Sequence, residues 1–121
     1  MGEKKMDLKK LNTEIEKFVS DRDWDQFHSV KNLSMALNVE SSELMEIFQW
    51  LTEAQSNDVK SDAKLLEKVE DEVADIFVYL LRIVNKNNID LEQAVLRKLK
   101  KNAQKYPVDK SRGNAKKYTE L

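Results

Sequence analysis

Apolar residues recur at helical spacing in four stretches of this chain. Leu8, Leu11, Ile15, Phe18 and Val19 form the first stripe. With Asp7 as N-cap, they predict a helix that ends near residues 20–23. A second stripe, Leu33, Leu37, Glu40, Leu44, Ile47 and Leu51, predicts a helix over 30–51. A third, Val69, Glu72, Ile76, Tyr79 and Ile83, predicts a helix over 63–86 that the Asn87-Asn88 pair breaks. Asp90 with Gln93 opens the fourth, and Pro107 stops it by Tyr106 because the residue before proline is disfavoured in a helix. Between these lie an aromatic loop, 24–29, and a polar connection, 52–62, rich in Ser, Asn and Asp. Residues 108–121 read as an irregular basic tail, and residues 1–6 as a disordered or tag-derived leader. The pattern predicts an all-α fold, a single domain over 1–121 built as a four-helix-type bundle.

The third helix is apolar almost all round between Ile76 and Val84. A bundle of this size covers one side of such a helix, and a second copy of the chain is the natural cover for the other. A homo-oligomer is therefore expected.

Two positions in these stripes are not apolar. Glu40 occupies a slot in the second stripe and Glu72 one in the third. Each has an acidic companion three residues on, Glu43 and Asp75, on a neighbouring position of the same helix face. A carboxylate facing a core costs several kcal/mol unless something positive meets it. Four such groups from two helices call for a cation between them, and hard oxygen donors suit Mg²⁺, with Mn²⁺ as a substitute. Glu46 points away from the apolar arc and reads as solvent-exposed, and the Glu67, Glu70 and Asp71 group as a solvated face.

Composition narrows the chemistry further. The 121 residues include no Cys and one His, His28, which excludes thiolate metal sites and disulfides and removes most zinc and di-iron arrangements. No run of 18 apolar residues and no signal-type leader occurs, so a cytoplasmic protein with no membrane partner is expected. The net charge of −1 hides an uneven distribution. Residues 32–59 hold five acids and no Lys or Arg, whereas 97–117 hold nine basic residues against Asp109 alone. An acidic cluster for a cation plus a basic segment is what a polyphosphate ligand needs, although the segment alone reads equally well as a solvated helix and tail. With no Ser–His–Asp or Cys–His arrangement, water is the expected nucleophile and a quartet carboxylate the acceptor of its proton. Trp24, Phe27, His28, Trp50 and Tyr79 are either stacking faces for a base or ordinary core residues. A nucleic-acid partner is disfavoured, since the acids would oppose its backbone.

At this point the residues resemble a family. Glu40-x-x-Glu43, 28 intervening residues, then Glu72-x-x-Asp75, resembles the signature of the MazG-like, all-α nucleoside triphosphate pyrophosphohydrolases. The stretches Arg22-Asp-Trp24-Asp-Gln-Phe27-His28, Glu43-Leu-Met-Glu-Ile-Phe-Gln-Trp50, Lys98-x-x-x-Asn102-x-x-Lys105-Tyr106-Pro107 and Lys117-Tyr118-Thr119 are similar to its dCTP pyrophosphatase-like branch. The resemblance implies Mg²⁺-dependent hydrolysis of a nucleoside triphosphate between its α- and β-phosphates, in a dimer or a dimer-of-dimers tetramer, as house-cleaning of dNTPs with preference for dCTP or a modified dCTP. It implies Glu40, Glu43, Glu72 and Asp75 as metal ligands, with Glu40, Glu43 and Glu72 the catalytic carboxylates. It further implies Trp24, Phe27, His28, Trp50 and Tyr79 around base and sugar, and Lys98, Asn102, Lys105 and Tyr106 on the phosphates. Val39 stands where many members have a second Glu, Ser41-Ser42 replaces Val-Gly, and Lys105 replaces an Arg, turning a forked phosphate contact into a point charge. Two other readings stay open: broad dNTP or damaged purine nucleotide specificity on the same fold, and a non-enzymatic helical interaction module.

Overall fold

The structure is a computed structural model and describes residues 4–121. The leader expected over 1–6 thus lies partly outside the described residues; Lys4 to Asp7 have no regular structure. The described residues form helices and turns and contain no strand. Among the described residues six α-helices follow in order: α1 Leu8–Asp21, α2 Val30–Phe48, α3 Glu53–Asn57, α4 Ala63–Lys86, α5 Leu91–Lys105 and α6 Val108–Ser111.

Short polar side chains start most of them. Asp7 accepts from the Lys10 N–H at 3.0 Å, Ser29 from that of Asn32 at 3.0 Å, and Asp90 from that of Gln93 at 3.1 Å. Asp62 accepts from both Lys64 and Leu65 at the start of α4. At the other end of α4, Asn88 adopts a left-handed backbone with φ of 51°, which asparagine tolerates better than most residues.

Two expectations need correction. α2 stops at Phe48, three residues before Leu51, because the chain tightens into a turn closed by Leu51 N–H to the Phe48 carbonyl at 2.9 Å. Thr52 then begins α3 with a capping box: its hydroxyl accepts from Gln55 N–H, and the Gln55 side chain accepts from Thr52 N–H. The polar connection is therefore α3 followed by a 3-10 turn, Val59–Ser61. The basic tail is also not fully irregular, since it holds α6 and a 3-10 turn, Tyr118–Glu120.

The chain divides into two compact units, one up to residue 87 and one from 88 to 121. In the first, α2 and α4 pack along each other, and the turn after α3 packs on α4. Its core consists of Val19, Leu33, Val59, Leu81 and Val84. In the second, Tyr118 folds back beside the end of α5, edge-on to Tyr106 at 6.1 Å and under the Lys105 ammonium at 4.8 Å.

Candidate functional site

The pairing of α2 with α4 brings the two acidic pairs together. One carboxylate oxygen from each of Glu40, Glu43 and Glu72 lies within 4.8 Å of the others. Glu40 and Glu72 are half-buried and Glu43 is exposed. The Oε2 atoms of Glu40 and Glu72 are buried with no hydrogen-bond donor. Among the described residues, the ion pairs formed by Lys and Arg go to Asp21, Glu16 and Asp25, and none reaches these acids. The crowding raises the affinity of Glu40 for a proton: its carboxyl is pushed up to about 7, first by the Glu72 carboxylate facing it, then by burial and by Glu43 and Asp75. Carboxylate oxygens crowded this closely, two of them orphaned, are a donor set that suits a hard divalent cation, which would displace the proton Glu40 binds.

Asp75 stands outside this tight trio. It lines a neighbouring cleft of about 610 Å³ together with Tyr79 from α4, Ile15 and Phe18 from α1, and Trp24 and His28 from the loop between α1 and α2. Asp75 thus borders both features, since its charge also acts on Glu40. The Tyr79 hydroxyl is held above its usual range by burial first, then by the charges of Glu40 and Asp75.

The loop is a 3-10 turn, Asp25–Phe27, which presents Trp24 and His28 on the cleft side. Trp24 stands edge-on to Phe18 with ring centres 5.6 Å apart, and His28 lies 6.5 Å from Trp24. The Arg22 guanidinium covers the Phe18 ring at 3.8 Å and donates to the Phe18 carbonyl. Burial, then the charges of Arg82 and Lys86, push the His28 pKa down, so the ring is neutral at pH 7; its Nδ1 is buried and unpartnered.

Of the five expected base-binding residues, the cleft thus gathers Trp24, His28 and Tyr79. Phe27 is 60% exposed and outside it, while Trp50 sits in the turn after α2 at 87% exposure. Trp50 is therefore not on the helix that carries Glu43. Glu46, exposed as expected, borders an outer hollow with Glu43, Lys68, Asp71 and Glu72. Lys98, Asn102 and Lys105 follow one another on one face of α5, with Asn102 half-buried and Tyr106 capping the helix end. These four belong to the second unit.

Sequence reasoning missed a buried ionic group in the first unit. Arg82, 2% exposed, donates to Glu16 and to Asp25, both at 2.7 Å, and Lys86 donates to Asp25 at 2.9 Å. Hydrogen bonds from Lys86 and then Arg82 hold the Asp25 carboxyl below its usual range. The one available signal was a lone Arg inside the apolar run of α4.

Comparison with known proteins adds three findings. The profile of the MazG-like family matches residues 35–121. The chain is 39% identical over 115 residues to dCTP pyrophosphatase 1 of Rattus norvegicus and 36% identical to that of Homo sapiens, in each case over 95% of this chain and 66% of the relative. The chain thus spans just under two thirds of the length of these curated relatives. A crystal structure of a pyrophosphatase from Archaeoglobus fulgidus DSM 4304 superposes with a TM-score of 0.76 and 33% identity, covering 88% of this chain and 98% of that one.

Proposed function

Because this chain belongs to the MazG-like family, we propose that it hydrolyses a nucleoside triphosphate between the α- and β-phosphates, releasing a monophosphate and pyrophosphate. Its relatives' name, dCTP pyrophosphatase 1, supports dCTP or a modified dCTP as the preferred substrate and removal of such nucleotides as the role. The observation that carries this reading is the trio of Glu40, Glu43 and Glu72 oxygens within 4.8 Å of one another, beside an aromatic cleft that Asp75 also borders.

Glu40, Glu43, Glu72 and Asp75 would hold Mg²⁺, or Mn²⁺ in its place. When bound, the cation would supply neutralisation of the substrate's phosphate charge. The side chains do the rest. A carboxylate of Glu40, Glu43 or Glu72 accepts the proton of the attacking water. Trp24 and Tyr79 offer aromatic faces to the base, and neutral His28 offers a ring nitrogen for hydrogen bonding to it. For Lys98, Asn102, Lys105 and Tyr106 the support as phosphate contacts is the charge and shared face of α5 together with the family resemblance. Residues 1–121 serve as a single MazG-like domain, in a homo-oligomer, a dimer or dimer-of-dimers tetramer, acting on the cytoplasmic nucleotide pool. No helix among the described residues is long and apolar enough to cross a membrane.

The exposure of Phe27 and Trp50 outside the cleft favours a second reading on the same chemistry, with weaker selection among bases. One experiment addresses both. Pyrophosphate release is measured from a panel of dNTPs, methylated dCTP, oxidised purine dNTPs and NTPs, with Mg²⁺, with Mn²⁺ and with EDTA. The expected result is metal-dependent release with an equimolar monophosphate, fastest from dCTP or its methylated form. Even rates across bases favour the second reading. Orthophosphate as product, or no release from any nucleotide, overturns the assignment and favours a helical interaction module.

A further inference from the structure

The proposed mechanism leaves the buried guanidinium of Arg82 without a task. Arg82 lies in α4 one turn after Tyr79 and two turns after Asp75, with its side chain 3% exposed in an otherwise apolar stretch. Removing a guanidinium from water is costly unless its donors are met. Its Nη1 donates to Glu16 of α1 and its Nη2 to Asp25, both at 2.7 Å, while the buried Nε has no acceptor. The two Nη contacts therefore fix its orientation.

Those contacts reach the walls of the cleft. Asp25 opens the turn that presents Trp24 on one side and His28 on the other, and its carbonyl accepts from the His28 N–H at 3.0 Å. Glu16 lies on α1 next to Ile15 and two residues before Phe18, which also line the cleft. Tyr79 and Asp75, the third wall, share α4 with Arg82 itself. One guanidinium thus ties together the three segments that enclose the space, and Lys86 reinforces the link to Asp25.

We propose that Arg82 is a positioning residue: through Asp25 and Glu16 it sets the spacing of Trp24 and His28 against Tyr79, and so decides which nucleobases the cleft admits. This rests on the nucleotide reading of the cleft. Arg82 touches neither the acidic trio nor, on that reading, the reacting phosphate, so its loss acts on binding and selection rather than on the chemical step.

The test compares Arg82→Met, Arg82→Lys and Asp25→Asn with the unsubstituted full chain, by steady-state kinetics on four dNTPs and by the melting-point rise on adding Mg²⁺ alone. Asp25 is 68% exposed, so Asp25→Asn probes the link without emptying the core. Arg82→Met and Asp25→Asn should raise KM for the best nucleotide about tenfold, with kcat within about threefold, and compress the kcat/KM ratio between best and worst base. Arg82→Lys, able to keep one of the two ion pairs, should recover part of that ratio, and the Mg²⁺ effect should not change in any variant. Variants that lose kcat and melting temperature together, with KM and base ratio unchanged, overturn the inference and leave Arg82 a structural ion pair. If the unsubstituted chain releases no pyrophosphate, the nucleotide reading falls and takes this inference with it; if it turns over and the ratio survives in every variant, this inference alone falls.

Discussion

Glu40 is crowded by the carboxylates of Glu72, Glu43 and Asp75, and the consequence is visible without substrate. Its carboxyl titrates at about 7 in the folded chain against an ordinary value of 4.5. The folded state therefore binds this proton more tightly than the unfolded chain does. The resulting stability is fully present below about 4.5 and is lost as the pH rises through about 7. In EDTA, the melting temperature should fall between about pH 5 and pH 8, and Glu40→Gln should flatten that fall, as followed by circular dichroism. The same variant should lose turnover by at least about a hundredfold while staying folded, since a ligand should cost no less than its supporting shell. A pH-independent melting point for the parent chain would mean that Glu40 and Glu72 do not face each other. Both carboxylates were legible in the sequence because they interrupt apolar stripes. Arg82 was not, because a single long cation in an apolar run reads as readily as a side chain reaching out to water. What separates the two cases is whether Glu16 and Asp25, far away in sequence, come within reach of it.

At the scale of elements, α4 was legible at both ends, Ala63 and Lys86, with the Asn87-Asn88 break after it, though its Asp62 cap was read only as part of the polar connection. Its apolar period is long and its ends carry strong local signals. The end of α2 was not, although a local signal was present: Thr52 and Gln55 stand at capping-box spacing. The stripe runs on to Leu51 and conceals the turn that returns the chain. Thr52→Ala should remove one half of the box and cost about 1 kcal/mol, measurable as a lower urea midpoint with unchanged slope. No change would mean that packing of the Val59–Ser61 turn on α4, not the cap, fixes the end of α2. Placing Trp50 on α2 was the functional cost of that misreading.

For the whole molecule, the balance of buried and exposed apolar surface matters most. Among the described residues five apolar side chains are buried, while Met35, Val39, Met45, Trp50, Leu96, Leu99 and Val108 are each more than half exposed. Exposure of this extent is expected to be covered by further copies of the chain. Light scattering at micromolar concentration should give a mass of two or four chains, and a monomer would overturn the oligomer. The all-α class followed from the spacing of apolar residues; periodicity gives each helix a face and names no partner for it, and only the two acidic pairs, calling for one cation, pointed to α2 beside α4. Arg82 bonds to residues 57 and 66 positions away along the chain, whereas the capping contacts span two or three. Helical turns zip up locally and fast, but the guanidinium finds its two acids only after α4 has closed long loops back to α1 and its neighbouring turn. The aromatic cleft is thus among the last parts of its unit to assemble on refolding, and among the first to come apart as the chain loosens.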